Sequence, residues 1–154
     1  MQKKTRVMAP EILLEEYRKL LSDENIAALP LVISGNSMAP FLVHGRDTVY
    51  LAKLTRKVKK GDVLLYRRNS GAYILHRVYK IDKDSYTMVG DAQTWLESGI
   101  KDAQIIAVMT SALRKGKMQT AGSFWWEFFE KLWIRIVPLR PTLMKLYTCI
   151  KGGK

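Results

Sequence analysis

The stretch Ser34-Gly35-Asn36-Ser37-Met38-Ala39-Pro40 sets a serine in a tight, glycine-containing bend directly after the apolar run that begins at Leu31. Such a bend exposes a hydroxyl and turns neighbouring backbone N–H groups toward the same point, which is what an acyl-transfer nucleophile needs. Downstream, the chain is written in short β-type runs at 31–34, 48–51, 63–67, 73–81, 86–89 and 104–110. Turn residues separate them: Lys60-Gly61-Asp62 precedes one strand, Asn69-Ser70-Gly71 closes a hairpin, and Asp82-Lys83-Asp84-Ser85 turns the meander again. The pattern predicts a mainly antiparallel β core over 31–118. The basic run Lys53, Arg56, Lys57, Lys59 and Lys60 reads as a solvated loop in preference to a binding patch. Upstream, 9–22 reads as a helix, with Pro10 in its first turn, Leu13, Tyr17, Leu20 and Leu21 on one face, and a Glu15–Lys19 pair. Residues 1–30 thus form an N-terminal docking helix, too short a unit to hold a helix-turn-helix DNA reader.

Order gives the serine bend its meaning. Asp47 follows it, then Gly61-Asp62-Val63, then Leu75-His76-Arg77-Val78 on a strand, then Val89-Gly90-Asp91 at a strand end. This series, over about residues 31–106, resembles the signal peptidase I and SOS-repressor self-cleavage superfamily of serine peptidases. There a Ser-Met box supplies the nucleophile, a Gly-Asp box opens a core strand, a Lys-Arg or His-Arg box supplies the base, and a late Gly-Asp box closes the site. The resemblance implies Ser37 as nucleophile, His76 as general base in a Ser-His type of site, and Asp91 as acidic partner, with Glu97 as the alternative. It implies antiparallel sheets of the signal peptidase and SOS-repressor C-terminal domain type, flanked by an N-terminal helix and a C-terminal amphipathic helix. A neutral imidazole, with an ordinary pKa of about 6.5, suits the role of base near neutral pH. The implied substrate is a peptide or leader segment docked as an extended strand, with small side chains near the cut and no metal or organic cofactor.

Three departures from the superfamily pattern stand out. Glycine occupies position 35, where signal peptidases place a second serine for the oxyanion hole, and Ser34 is one residue further away. The backbone N–H of Ser37 is therefore the better oxyanion donor. Ala92-Gln93 stands where asparagine is usual, and Arg46 splits the first Gly-Asp pair. His44 matches no position of the pattern and reads as a surface residue.

The chain has 154 residues, with 26 Lys+Arg against 14 Asp+Glu, a net charge of +12 that favours an anionic partner. Its single cysteine, Cys149, and its two histidines exclude a disulfide framework and a zinc ribbon. The N-terminal residues mix both charge signs without an apolar core, so neither a secretory leader nor an N-terminal anchor is expected, and the default location is the cytoplasmic face. Residues 119–154 read as a linker and a tail, with a helix over 123–137 whose polar residues Glu127, Glu130, Lys131 and Arg135 form one narrow stripe. Pro138 and Pro141 break it. The aromatic remainder and the basic residues beyond predict a tail lying on an anionic membrane surface, in preference to one packed on the β core. Two other functions compete: a catalytically idle peptide-binding module of the same fold, and a basic nucleic-acid-binding protein. The second is disfavoured because the tail clusters Trp and Phe instead of interleaving them with cations.

Overall fold

The computed structural model describes residues 10–152, with side chains from residue 14 onward. Leu13 of the predicted helix face therefore lies outside the described side chains. Helix α1 spans Pro10–Leu20. Eight strands follow: β1 (Leu29–Val32), β2 (Thr48–Ala52), β3 (Val63–Arg67), β4 (Tyr73–Ile81), β5 (Tyr86–Val89), β6 (Glu97–Ile100), β7 (Ile105–Arg114) and β8 (Lys117–Thr120). All pairings are antiparallel, in the order β1-β2-β7-β3-β4-β5-β6, with β8 continuing the edge of β7 beyond β3. The protein is thus mainly antiparallel β with helices at both ends.

The sheet is buried on both faces at its centre, which is why Val63-Leu64-Leu65-Tyr66 reads as a continuous apolar run instead of an alternating one. One face packs Val63 and Leu65 with Met38, Phe41, Leu42, Val49 and Leu51. The other packs Leu64 and Tyr66 with Val58, Val78, Met88 and Val108. The basic run before β3 is a loop, as expected, and Asp62 pins it: Arg56 grips the Asp62 carboxylate at 2.8 and 3.0 Å, and Lys59 N–H donates to it at 2.8 Å.

Two expectations change at the C-terminal end. The predicted linker begins as strand β8, joined to β7 by Lys115 and Gly116, both at positive φ. This is the backbone a two-residue hairpin requires, built without the Asn-Gly signature that usually announces it. The predicted single helix over 123–137 is instead α2 (Phe124–Glu127), a π-helical turn at Phe128–Leu132, and a 3₁₀ segment at Trp133–Leu139, leading into α3 (Arg140–Gly152). Ile136 is non-helical (φ −107°, ψ 28°), two residues ahead of Pro138, which has no N–H to continue the ladder. The wider π turn brings Trp126, Phe129 and Trp133 onto the β core beside Phe41. Through Trp126, Phe129 and Trp133 this segment packs on the sheet, the alternative to the expected tail lying on a membrane surface. No helix among the described residues is long and apolar enough to cross a membrane.

Candidate active site

The loop between β1 and β2 is pinched at its base, where Ile33 N–H donates to the Asp47 carbonyl at 3.0 Å and Gly45 N–H to the Ile33 carbonyl at 2.9 Å. Buried Asp47 holds the same loop through its side chain. It accepts Val43 N–H at 2.9 Å and Lys115 N–H at 3.1 Å, and pairs with Arg46 at 2.6 Å. Burial pushes its pKa up, but the Arg46 ion pair and the two N–H groups outweigh that and hold it below the usual carboxylate value. Inside the loop, Gly35 adopts φ +83° and donates its N–H to His44 Nδ1 at 2.9 Å. His44 is exposed, as expected, yet it braces the serine bend from within. Ser37 is half-buried between exposed Asn36 and fully buried Met38, whose side chain anchors the bend in the core beside Phe41 and Leu42. Among the described residues the Ser37 N–H has no acceptor, leaving it available as an oxyanion donor. Exposed Ser34 lies on the rim of the same groove, of about 350 Å³, which runs from Ser37 past Ile33 to Tyr73, Ile74 and Leu75 of β4.

His76 is the next residue on β4, buried at 2 % exposure. Its ring lies on the face of β4 that packs with Tyr66 and Val78, and Tyr66 Oη approaches its Nδ1 at 3.5 Å. Tyr66 donates its own proton to Glu97 at 2.6 Å, and Arg68 pairs with Glu97 at 2.6 Å. A carboxylate can only accept, so in this 3.5 Å contact the Tyr66 oxygen can only accept from Nδ1–H, which favours the tautomer whose lone pair is on Nε2, the nitrogen a general base uses. Burial drives the His76 pKa from its ordinary 6.5 down to about 4, opposed by the charge of Glu97. Burial and the Glu97 hydrogen bond raise the Tyr66 pKa well above the usual phenol value.

Asp91 is fully buried and its carboxylate is committed to Arg77, with Nε–Oδ1 and Nη2–Oδ2 both 2.9 Å. Arg77 sits on the opposite face of β4 from His76, over the Phe41 ring at 5.6 Å, and reaches the Gly61 carbonyl at 2.9 Å. Asp91 therefore makes no hydrogen bond to His76 among the described residues, and the group linked to the imidazole is Glu97, through Tyr66. The Asp91 box meets the nucleophile through backbone. Ala92 N–H donates to the Ser37 carbonyl at 2.9 Å, and a Cβ on Gly90 would stand 2.5 Å from that same oxygen.

The tail closes this corner from outside. Trp133 Nε1 donates to the Asp91 carbonyl at 2.8 Å. Buried Arg140 donates to the Gly90 and Gln93 carbonyls at 2.9 Å each and to the Trp133 carbonyl at 3.1 Å. Gly61, of the box that opens β3, lies so close to the π turn that a Cβ there would be 2.6 Å from Glu130 Cγ.

The fold thus joins Ser37, Gly90-Asp91 and Arg77 in one cluster and places His76, Tyr66 and Glu97 in a second on the other face of β4. No hydrogen bond joins Ser37 Oγ to His76 among the described residues. Sequence reasoning missed Tyr66, Arg77, Trp133 and Arg140 as supports. Only Arg77 had a signal, its place beside His76 in the His-Arg box. No cluster of three or more His, Cys, Asp or Glu able to hold a metal occurs among the described residues. Compared with protein-family models, curated proteins and solved structures, the chain finds no match.

Proposed function

We propose that this protein is a serine endopeptidase of the signal peptidase I and SOS-repressor type, acylated on Ser37 with His76 as general base. One observation carries the reading: the serine bend and the late Gly-Asp box, about fifty residues apart in the chain, lie backbone against backbone, and the arginine beside His76 ties that box to β4. Ser37 Oγ attacks the scissile carbonyl and passes its proton to His76 Nε2, while the developing oxyanion faces the Ser37 N–H. The imidazolium returns the proton to the leaving amine. A water deprotonated by His76 then hydrolyses the ester, freeing the acid and restoring Ser37. The Ser37–His76 hydrogen bond is not made in this structure, where the two side chains belong to clusters on opposite faces of β4, so this chemistry requires a rearrangement that brings His76 Nε2 to Ser37 Oγ. An extended peptide would enter beside exposed Val32 on edge strand β1, whose Pro30 carbonyl already accepts the Tyr17 hydroxyl of α1, and run along the groove to Ser37.

The low basicity of His76 and its separation from Ser37 favour a second reading, a module of the same fold that binds peptides without cutting them. A fluorophosphonate probe followed by peptide mapping separates the two. Modification at Ser37 that is lost in His76→Ala supports the peptidase. Peptide binding with no modification at Ser37 supports the module.

A further inference from the structure

A groove of about 1000 Å³, larger than the one at Ser37 and on a different side of the serine loop, runs between that loop, the β7–β8 hairpin and the tail. Its floor and walls include Trp125, Phe128, Leu132, Ile136, Leu143 and Met144. Its rim carries Arg46, Arg114, Lys115, Lys117 and Lys151, and no carboxylate lines it among the described residues. Arg46 is paired with Asp47, and Arg114 is spent on the carbonyls of Phe41 and Pro40 beneath the Trp125 ring. The ammonium groups of Lys115, Lys117 and Lys151 have no ion-pair partner among the described residues. An apolar trough under a one-signed cationic rim is complementary to one class of ligand, an amphiphile with an anionic head.

We propose that this groove holds an acyl chain of an anionic phospholipid at a membrane surface, with the headgroup phosphate on Lys115, Lys117 and Lys151. Helix α3 supplies the second observation. Leu143, Met144 and Tyr147 line the groove, and exposed Leu146 and Ile150 carry the same apolar face outward from it, while the helix's cations other than buried Arg140 are Lys145 and Lys151. A helix whose wide apolar face is left partly exposed suits immersion at the headgroup–acyl boundary better than immersion in water. Exposed Phe124, Trp125 and Leu139 extend the same surface. Two other occupants bring the wrong charge. A second copy of this +12 chain would set one cationic rim against another, and a leader peptide carries a basic segment beside its apolar one. The groove is lined without Ser37 or His76, so its occupancy is independent of whether the chain is a peptidase.

The test is sedimentation of the full chain with phosphatidylglycerol and with phosphatidylcholine vesicles at low salt, using phosphatidylglycerol brominated along its acyl chains as a quencher of tryptophan emission. The expected result is binding to phosphatidylglycerol alone, with quenching that falls by at least half in Trp125→Phe. At about fivefold in affinity for each cation near an anionic surface, Lys115→Gln/Lys117→Gln weakens binding about 25-fold, while Lys53→Gln/Lys57→Gln, which removes equal charge from a distant loop, changes it by less than about twofold. Leu132→Glu/Leu143→Glu, at exposed positions, abolishes quenching without altering the circular dichroism spectrum. Wild-type protein left in the supernatant, equal losses in the two lysine doubles, or binding without quenching would each overturn the site. So would a concentration-dependent dimer that Leu132→Glu dissolves, because the groove would then belong to a copy interface.

Discussion

Replacing Gly90 by alanine puts a methyl carbon 2.5 Å from the Ser37 carbonyl oxygen and 2.7 Å from Gln93 Oε1. Gly90 does not occupy the positive-φ region, so the substitution is a steric probe without added backbone strain. Gln93 can swing away, at the loss of its 3.1 Å bond from Gly90 N–H, but the Ser37 oxygen is main chain and moves only with the bend. Restoring an ordinary contact requires a displacement of nearly an ångström, and overpacking of this kind costs about 1–3 kcal/mol. Disrupting the Ala92 N–H to Ser37 bond adds about 1 kcal/mol, for a total of about 2–4 kcal/mol. In a domain of this size that lowers the melting temperature by about 5–15 °C. A nucleophile misplaced by about 1 Å loses about 100-fold in rate, which the fluorophosphonate labelling rate at Ser37 reads directly. The double variant Gly90→Ala/Gln93→Ala removes the Gln93 clash and leaves the Ser37 clash, so it recovers only part of the loss. Full recovery in that double, or a single variant that melts and labels like wild type, would refute the proposed coupling between the two boxes.

Ser37→Ala and His76→Ala should each remove nearly all peptide cleavage, with the double variant no worse than either, because the two groups act as a unit; residual turnover by His76→Ala at neutral pH would remove His76 from the mechanism. In the unfolded chain His76 takes up its proton near pH 6.5, but in the fold only near pH 4. The unfolded state therefore binds more protons between those values, and stability is lost as pH falls from 6.5 toward 4, by about 3 kcal/mol. Urea titrations should show that loss in wild type and not in His76→Asn, and kcat/KM should hold its neutral value down to about pH 5. Arg140→Met strands three buried carbonyls and should cost about 3 kcal/mol in denaturant titrations, whereas wild-type stability in this variant would mean water already serves those carbonyls. Tyr66→Phe leaves Nδ1 without its acceptor and should lower kcat while KM is unchanged; an unaltered kcat would show that Glu97 does not act through Tyr66.

The strands at 63–67, 73–81 and 86–89 coincide with β3, β4 and β5 because β-branched and aromatic runs there are bounded by unambiguous turns. The two unanticipated strands lack that chemistry. Glu97–Ile100 has a single apolar residue, and Lys117–Thr120 is almost wholly polar, held in place by the Lys115-Gly116 turn and the register of β7. The serine and late Gly-Asp boxes were legible because a bend and a strand end have local signatures. The commitment of Asp91 to Arg77 was not, since nothing local tells which face of β4 a distant carboxylate will approach. The tail misled for a related reason. A stripe of polar residues at helical spacing describes a regular helix, and the π turn re-aims that stripe, putting Glu130 against Gly61 and three aromatic rings into the core.

The reach of Arg140 back to Gly90 and Gln93 also bears on how the molecule comes into being. The late Gly-Asp box is synthesised about fifty residues before the arginine that clamps it, which at about 5–20 residues per second is an interval of several seconds. Throughout that interval the serine, the histidine and both Gly-Asp boxes already exist, while the Gly90 and Gln93 carbonyls still lack the guanidinium and the serine bend leans on an unsecured turn. A nascent or truncated chain ending short of Arg140 thus contains every residue proposed to do chemistry while the Gly90 and Gln93 carbonyls lack the guanidinium that serves them in the complete fold.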